Sequence, residues 1–331
     1  MLKCCLFGAG RIGAVHAENL ARHPHAALRW VIDPVEKLGR ALAEAHDARW
    51  SDAPGDGLAD PEVEAVIIAS PTPTHVDLII AAARAGKAIF CEKPIDLDLA
   101  RVDEAIREVE DAKVPFFIAF NRRFDPSFRK VKADLAQGVV GKLELVQITS
   151  RDPAPPPTEY LRQSGGLFRD MMIHDLDMAR WLLGDEPVEV YATGSALVDP
   201  AIGELGDVDT AVVVLKTRDG AIAEISNSRR AAYGYDQRLE VLGSKGMLRA
   251  ENVQSHTVTT WTTGGVVHDK PPHFFIERYT EAYRAELDHF VEAVRRRDRP
   301  LLAGARDGRQ ALVLADAALE SYELGRPVRL D

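Results

Sequence analysis

The first thirteen residues constrain the fold of this chain more than any other stretch. Leu2-Lys3-Cys4-Cys5-Leu6-Phe7 is a short, mostly apolar run of strand length, and Gly8-Ala9-Gly10-Arg11-Ile12-Gly13 follows it directly into a segment of helical character. A G-x-G-x-x-G string by itself is weak. Between a strand and a helix it specifies a tight turn: Gly8 takes the bend, Gly10 lets the backbone approach a diphosphate, and Gly13 lets helix and strand pack closely. The backbone N–H groups of Arg11 and Ile12 at the helix start would then face the phosphates. Leu28-Arg29-Trp30-Val31-Ile32-Asp33 reads as a second strand ending in an acid about 20 residues past the loop, the spacing of an acceptor for a ribose hydroxyl. Asp33 in that place predicts NAD over NADP, because a carboxylate accepts from a 2′-hydroxyl and repels a 2′-phosphate. An acid at a strand end also occurs for structural reasons alone.

The alternation continues to about residue 120. Val63 to Ala69 reads as a buried strand, Val76 to Arg84 as a helix, and Ala88-Ile89-Phe90-Cys91 as a strand. Leu99, Val102, Ile106 and Val109 lie at amphipathic helical spacing before a strand from Phe116 to Phe120. Such βαβ rhythm predicts an α/β architecture, a doubly wound parallel sheet of Rossmann type over residues 1–120. Beyond it the pattern changes. Leu143 to Ser150, Val188 to Leu197, Thr210 to Thr217, Ile222 to Ser228, Arg238 to Leu242 and Val258 to Trp261 all read as strands with few helices between them. The expectation is a second, α+β domain over 121–331, with a large, mostly antiparallel open sheet for substrate binding and subunit contact. Tyr283, Leu287, Phe290, Val291 and Val294 form one apolar helical stripe and another helix is expected from Asp307 to Glu323; these C-terminal helices could pack back on the first domain. Pro153 to Pro157 is stiff enough for a fixed loop.

Composition narrows the partners. With 331 residues, 46% of them hydrophobic, the chain can bury a large core. A net charge of −10 argues against nucleic-acid binding, and Arg295-Arg296-Arg297 at the end of a predicted helix complements the helix dipole. A strand beginning at Leu2 leaves no room for a signal peptide, and no apolar run approaches the ~18 residues of a membrane span, so a cytoplasmic location is expected. Cys4, Cys5 and Cys91 cannot build a disulfide framework and read as packing residues, and no Cys/His cluster has zinc spacing, so no metal is expected.

The run GGLFRDMMIHDLDMARWLL places Asp170 and His174 four residues apart. On one helical turn a carboxylate at 170 can fix the tautomer of an imidazole at 174, and a neutral imidazole can take the proton of an alcohol while hydride leaves the same carbon. The same pair could simply cap a helix start.

GAGRIGAVHA, SPTPTH at Ser70 to His75, Cys91-Glu92-Lys93-Pro94, Asn121-Arg122-Arg123-Phe124 and the Asp170/His174 segment occur in the order that resembles the family of glucose-fructose oxidoreductase, inositol dehydrogenase and rhizopine-catabolism proteins. The resemblance covers essentially the whole chain. Within the family it is strongest toward members acting on myo-inositol, over SRDPAPPP, SGGLFRDMMIHDLDMAR and NSRRAAYGYDQRLEV. It implies an NAD-dependent oxidation of myo-inositol at its axial hydroxyl, and a homotetramer joined through the second-domain sheets. Lys93 would stabilise developing alkoxide charge and relay a proton, a role that makes a Lewis acid unnecessary, with Pro94 in a cis bond behind it. His174 would be the base and Asp170 its orienter. Glu92, Ser70 and His75 would contact the cofactor; Asn121, Arg122, Asp152 and Tyr235 would line the polyol pocket beside Lys93, Asp170 and His174. Ser150 and Asp152 stand where some inositol dehydrogenases carry His and Asn, a departure that leaves scyllo-inositol, chiro-inositol or glucose as alternative substrates. A catalytically silent dinucleotide-binding regulator is the alternative of a different class.

Overall fold

The computed structural model describes residues 1–296 and 300–330, so Arg297 lies outside the described residues while Arg295 and Arg296 close the last turn of the helix Thr280–Arg296. The chain divides into two compact units, Met1–Phe124 with Glu281–Leu312, and Asp125–Thr280 with Val313–Asp331.

The first unit is built on six parallel strands: β1 (Leu2–Phe7), β2 (Ala26–Ile32), β3 (Arg49–Ser51), β4 (Ala65–Ile68), β5 (Ala88–Cys91) and β6 (Phe116–Ile118), in the order β3-β2-β1-β4-β5-β6. β4 and β5, sequences AVII and AIFC, are buried at every position, as strands covered by helices on both faces must be. The order reverses between β1 and β4. That reversal opens a crevice at their carboxyl ends, where Gly8 and the Ala69–Ser70 turn meet. The three cysteines are free and buried, and burial pushes the Cys4 thiol up to about 12 and that of Cys91 well above its usual value.

The second unit carries β7 (Leu143–Arg151), β8 (Pro187–Ser195), β9 (Thr210–Thr217), β10 (Ile222–Ser228), β11 (Asp236–Gly243) and β12 (Gly246–Ala250), then β13 (Thr259–Thr262), β14 (Gly265–His268) and the short β15 (Val328–Arg329). Seven of them form one sheet in the order β12-β11-β7-β10-β9-β8-β15. It is mostly antiparallel as expected, but β7 and β10 run parallel, which makes it a mixed sheet. The run expected from Val258 to Trp261 does not join it; β13 pairs only with β14, in a separate hairpin with exposed side chains. Alternation assigns one face of the large sheet to the core: Val146 and Ile148, Ala211, Val213 and Leu215, Ala223 and Ile225, and Leu239 and Val241 are all buried. The helix Ile173–Leu183 packs on that face over β7 and β10, and Asn227 Nδ2 donates to its buried Asp175 carboxylate at 3.1 Å.

Candidate functional site

The dinucleotide cradle is set by three glycines. Gly8 has φ +98°, and a Cβ there would stand 2.6 Å from the Ala69 carbonyl oxygen; one on Gly13 would stand 2.0 Å from the Gly8 carbonyl oxygen. Only glycine satisfies both positions. A Cβ on Gly10 would meet nothing within 4 Å, so the backbone borders open space at the N-terminus of the helix Arg11–Arg22, whose Gly10 cap offers no side-chain hydrogen bond to the first turn. An uncapped helix start beside open space is where diphosphate oxygens fit. Asp33 is buried at the end of β2, its carboxylate accepting from Ala9 N at 2.6 Å and Val35 N at 2.7 Å. The acid thus fixes the glycine loop and presents its remaining lone pairs beside it. These residues fit NAD.

The neighbouring loops are tied together by His75. Its Nδ1 lies 2.8 Å from the Pro94 carbonyl oxygen and its Nε2 2.8 Å from that of Ser70. Both acceptors are carbonyls, so two simultaneous bonds need the charged ring; burial pushes the His75 pKa down, and the neutral ring donates to one carbonyl at a time. His75 therefore acts through the backbone of the Ser70 loop and of the Lys93–Pro94 turn. Ser70 Oγ is 2.6 Å from Thr74 Oγ1. The Lys93–Pro94 bond is cis, and half-buried Lys93 lies two residues past the end of β5.

Glu92 Oε1 is bonded to His16 Nε2 at 2.8 Å, and the donor atoms of His16, Glu92 and Glu286 all lie within 4.8 Å of one another. Glu286 is 0% exposed, and burial, then the charge of Glu92, holds its carboxyl well above the usual range. Asn121 and Arg122 lie buried in the 3-10 turn Asn121–Phe124 after β6, with Asn121 Oδ1 lacking a hydrogen-bond partner.

In the second unit the parallel pairing of β7 and β10 decides which residues meet. Arg151 is in register with Ser228, and Asp152 N donates to Ser228 O at 2.9 Å, so Asp152 and Arg229 leave the sheet side by side. β11 begins with Asp236 opposite Arg151, which brings buried Tyr235 to the same edge. Asp170 comes from Leu167–Met171, a wide π turn closed by Met172 N to Leu167 O at 2.9 Å, and His174 from the first turn of the α-helix that follows. The segment is thus not the single α-helix its spacing suggests. Gly166 (φ +78°) and the Asp207 carboxylate, which accepts from Leu167 N at 3.0 Å, start the wide turn; a Cβ on Gly166 would fall 2.7 Å from that carboxylate.

Asp170 has two further neighbours that the motifs did not reveal. Tyr160 donates its hydroxyl to Asp170 Oδ1 at 2.9 Å, and burial together with the Asp170 charge raises the phenol pKa. Arg229 Nη2 stands 3.6 Å from Asp170 Oδ2, and Arg229 Nη1 4.0 Å from Asp152 Oδ2. Only the basic pair Arg229-Arg230 after a strand pointed to it. Ser150 is fully buried, its Oγ accepting from Gln237 Nε2 at 2.8 Å, while Tyr279 donates to Gln237 Oε1. Ser150 is thus tied to Tyr279 through the Gln237 amide.

Residues 2–120 match the oxidoreductase family with an NAD-binding Rossmann fold, and residues 128–249 match the GFO/IDH/MocA C-terminal domain. Cradle and match together define an NAD-binding oxidoreductase. The chain belongs to the GFO/IDH/MocA family. It is 48% identical over 328 residues to myo-inositol 2-dehydrogenase of Thermotoga maritima, covering 98% of each chain. The crystal structure of a putative myo-inositol dehydrogenase from Sinorhizobium meliloti 1021 superposes with a TM-score of 0.97 at 46% identity over 100% of both chains. That of scyllo-inositol dehydrogenase from Lactobacillus casei, with bound NAD(H) and scyllo-inositol, does so at 0.93 and 31% identity over 99% of each.

Proposed function

We propose that this enzyme oxidises myo-inositol at its axial hydroxyl to the 2-ketone (scyllo-inosose) in inositol catabolism. The observation that carries the reading is the full-length similarity to the Thermotoga maritima myo-inositol 2-dehydrogenase. Bound NAD supplies the hydride acceptor. Neutral His174 takes the hydroxyl proton, and the Asp170 carboxylate stabilises the imidazolium that results. The Lys93 ammonium stabilises charge developing on the oxygen and relays that same proton, giving one of its own to His174 as it takes the one from the hydroxyl. Asn121, Arg122, Asp152 and Tyr235 supply hydrogen bonds to the remaining hydroxyls, which penalise any analogue that leaves them unpaired. Ser70, Glu92 and His75 hold the nicotinamide-side loops in place.

The assembly we propose is a homotetramer joined through the second-unit sheet. It is supported by the half-exposed apolar residues on the outer sheet face, among them Tyr191, Ile222 and Leu242, and by the hairpin β13–β14, where Trp261 is 76% exposed beside Val266 and Val267. Sedimentation velocity giving a monomer would end that proposal. Among the described residues no helix is long and apolar enough to cross a membrane, and we place the enzyme in the cytoplasm.

A panel of polyols assayed with NAD, following the absorbance of the reduced cofactor, tests the function. Turnover is expected to be fastest with myo-inositol, slower with scyllo-inositol, chiro-inositol and glucose, and absent without a polyol. No reduction of NAD with any polyol would contradict the reading, and a preference for another isomer would move the substrate.

A further inference from the structure

Arg229 is 1% exposed, an unusual place for a guanidinium. Its Nε and Nη2 make no hydrogen bond, yet it lies 3.6 Å from Asp170 and 4.0 Å from Asp152. A buried cation so poorly hydrogen-bonded is retained at a cost of desolvation, and the compensation here is charge: one guanidinium faces two carboxylates. The phenol of Tyr160 senses all three groups, Asp170 and Asp152 raising its pKa and Arg229 lowering it, which places them in one cluster. Two carboxylates flanking one buried cation would repel each other without it.

We propose that Arg229 is a positioning residue, a single buried countercharge that holds the Asp152 and Asp170 carboxylates together at the sheet edge. It touches no substrate and acts through the two acids, one read above as a polyol contact and the other as the orienter of His174; the inference rests on that reading. The charged and titratable groups at this edge come from several elements: Arg151 and Asp152 at the end of β7, Tyr160 on the helix Thr158–Ser164, Asp170 in the π turn, His174 on the following helix, Arg229 after β10, and Tyr235 and Asp236 at the start of β11. Its effect on rate has a definite sign. Removing the cation favours the protonated form of every neighbouring group, the base included, so the ascending limb of the pH–rate profile moves to higher pH.

The test uses Arg229→Gln, Arg229→Lys and the double variant Asp152→Asn/Arg229→Gln, each read as kcat and KM for myo-inositol against pH, with NAD affinity measured separately. Arg229→Gln is expected to shift the ascending limb by about half to one pH unit upward and to raise KM severalfold with NAD affinity unchanged. Arg229→Lys, which keeps the charge, is expected to restore most of the limb. The double variant removes one acid with the cation and so keeps the net charge of the cluster; it should fold even if Arg229→Gln does not, and its limb should return most of the way to that of the wild type. A limb in the double variant shifted as far as in Arg229→Gln, or an equal shift in the Lys and Gln variants, would overturn the inference and leave Arg229 a packing residue. A wild type that turns over no polyol would instead overturn the dehydrogenase reading beneath it.

Discussion

Asp33 shapes the glycine loop, and in the reading proposed above it also meets the cofactor ribose. Its carboxylate accepts from Ala9 N and Val35 N, so it shapes the glycine turn whose open side receives the diphosphate. Asp33→Ala is expected to weaken NAD binding by on the order of 1.5 to 3 kcal/mol, for loss of charge-assisted hydrogen bonds, and to narrow the gap to NADP. Titration of both cofactors by fluorescence checks this; equal affinity of the wild type for NAD and NADP would remove Asp33 from the selection. Residues of this kind were legible because their job is local. Gly8 and Gly13 mark positions where any Cβ would strike a carbonyl, and that requirement shows in the string itself. Arg229 and Tyr160 were not legible, because they reach Asp170 only through the parallel pairing of β7 with β10 and the path of the π turn, which no local pattern records.

At the scale of elements, one helix cap is also half of a buried ion pair. The helix Pro126–Ala136 starts at Asp125, whose Oδ1 accepts from Ser127 N at 3.0 Å and Phe128 N at 3.1 Å while Oδ2 takes the buried Arg278 guanidinium. Asp125→Ala removes the cap and leaves Arg278, 2% exposed at its side chain, without its partner. Denaturant unfolding should show a loss of about 3 to 5 kcal/mol, the cost of breaking one side of a buried pair; a loss under ~1 kcal/mol would show that Arg278 finds other compensation. Most strands were read from apolar runs to within a few residues: those from Thr210 to Thr217 and Ile222 to Ser228 coincide with β9 and β10. One reading failed, and one strand formed where it was read but joined a different sheet, both for physical reasons. The spacing of Asp170 and His174 suits α and π turns alike, and the wider turn is set by Gly166 and Asp207. The run around Trp261 has the composition of a strand, but composition does not say which strand will pair with it.

The whole first unit carries a pH dependence written in one residue. Glu286 is buried on the helix Thr280–Arg296, its carboxyl raised by burial and by Glu92, so folding requires it to bind a proton that the unfolded chain releases above the ordinary carboxylate range. A raised acid contributes its stability below its unfolded pKa and loses it as pH climbs toward the folded value. Glu286→Gln keeps the shape without the proton, so its stability relative to wild type should grow by about 1.4 kcal/mol per pH unit from weakly acid conditions upward, until the folded carboxyl ionises. Melting temperatures of both proteins across pH check this; a constant difference would show that Glu286 is ionised in the fold. The function of the whole molecule rests on hydride leaving one alcohol carbon. Myo-inositol deuterated at the carbon of the axial hydroxyl, incubated with NAD and the enzyme and followed by proton NMR of the cofactor, tests that most directly. The account predicts one deuterium in the reduced nicotinamide ring, an unlabelled 2-ketone and slower turnover than with unlabelled substrate; label retained in the product or lost to solvent would contradict it.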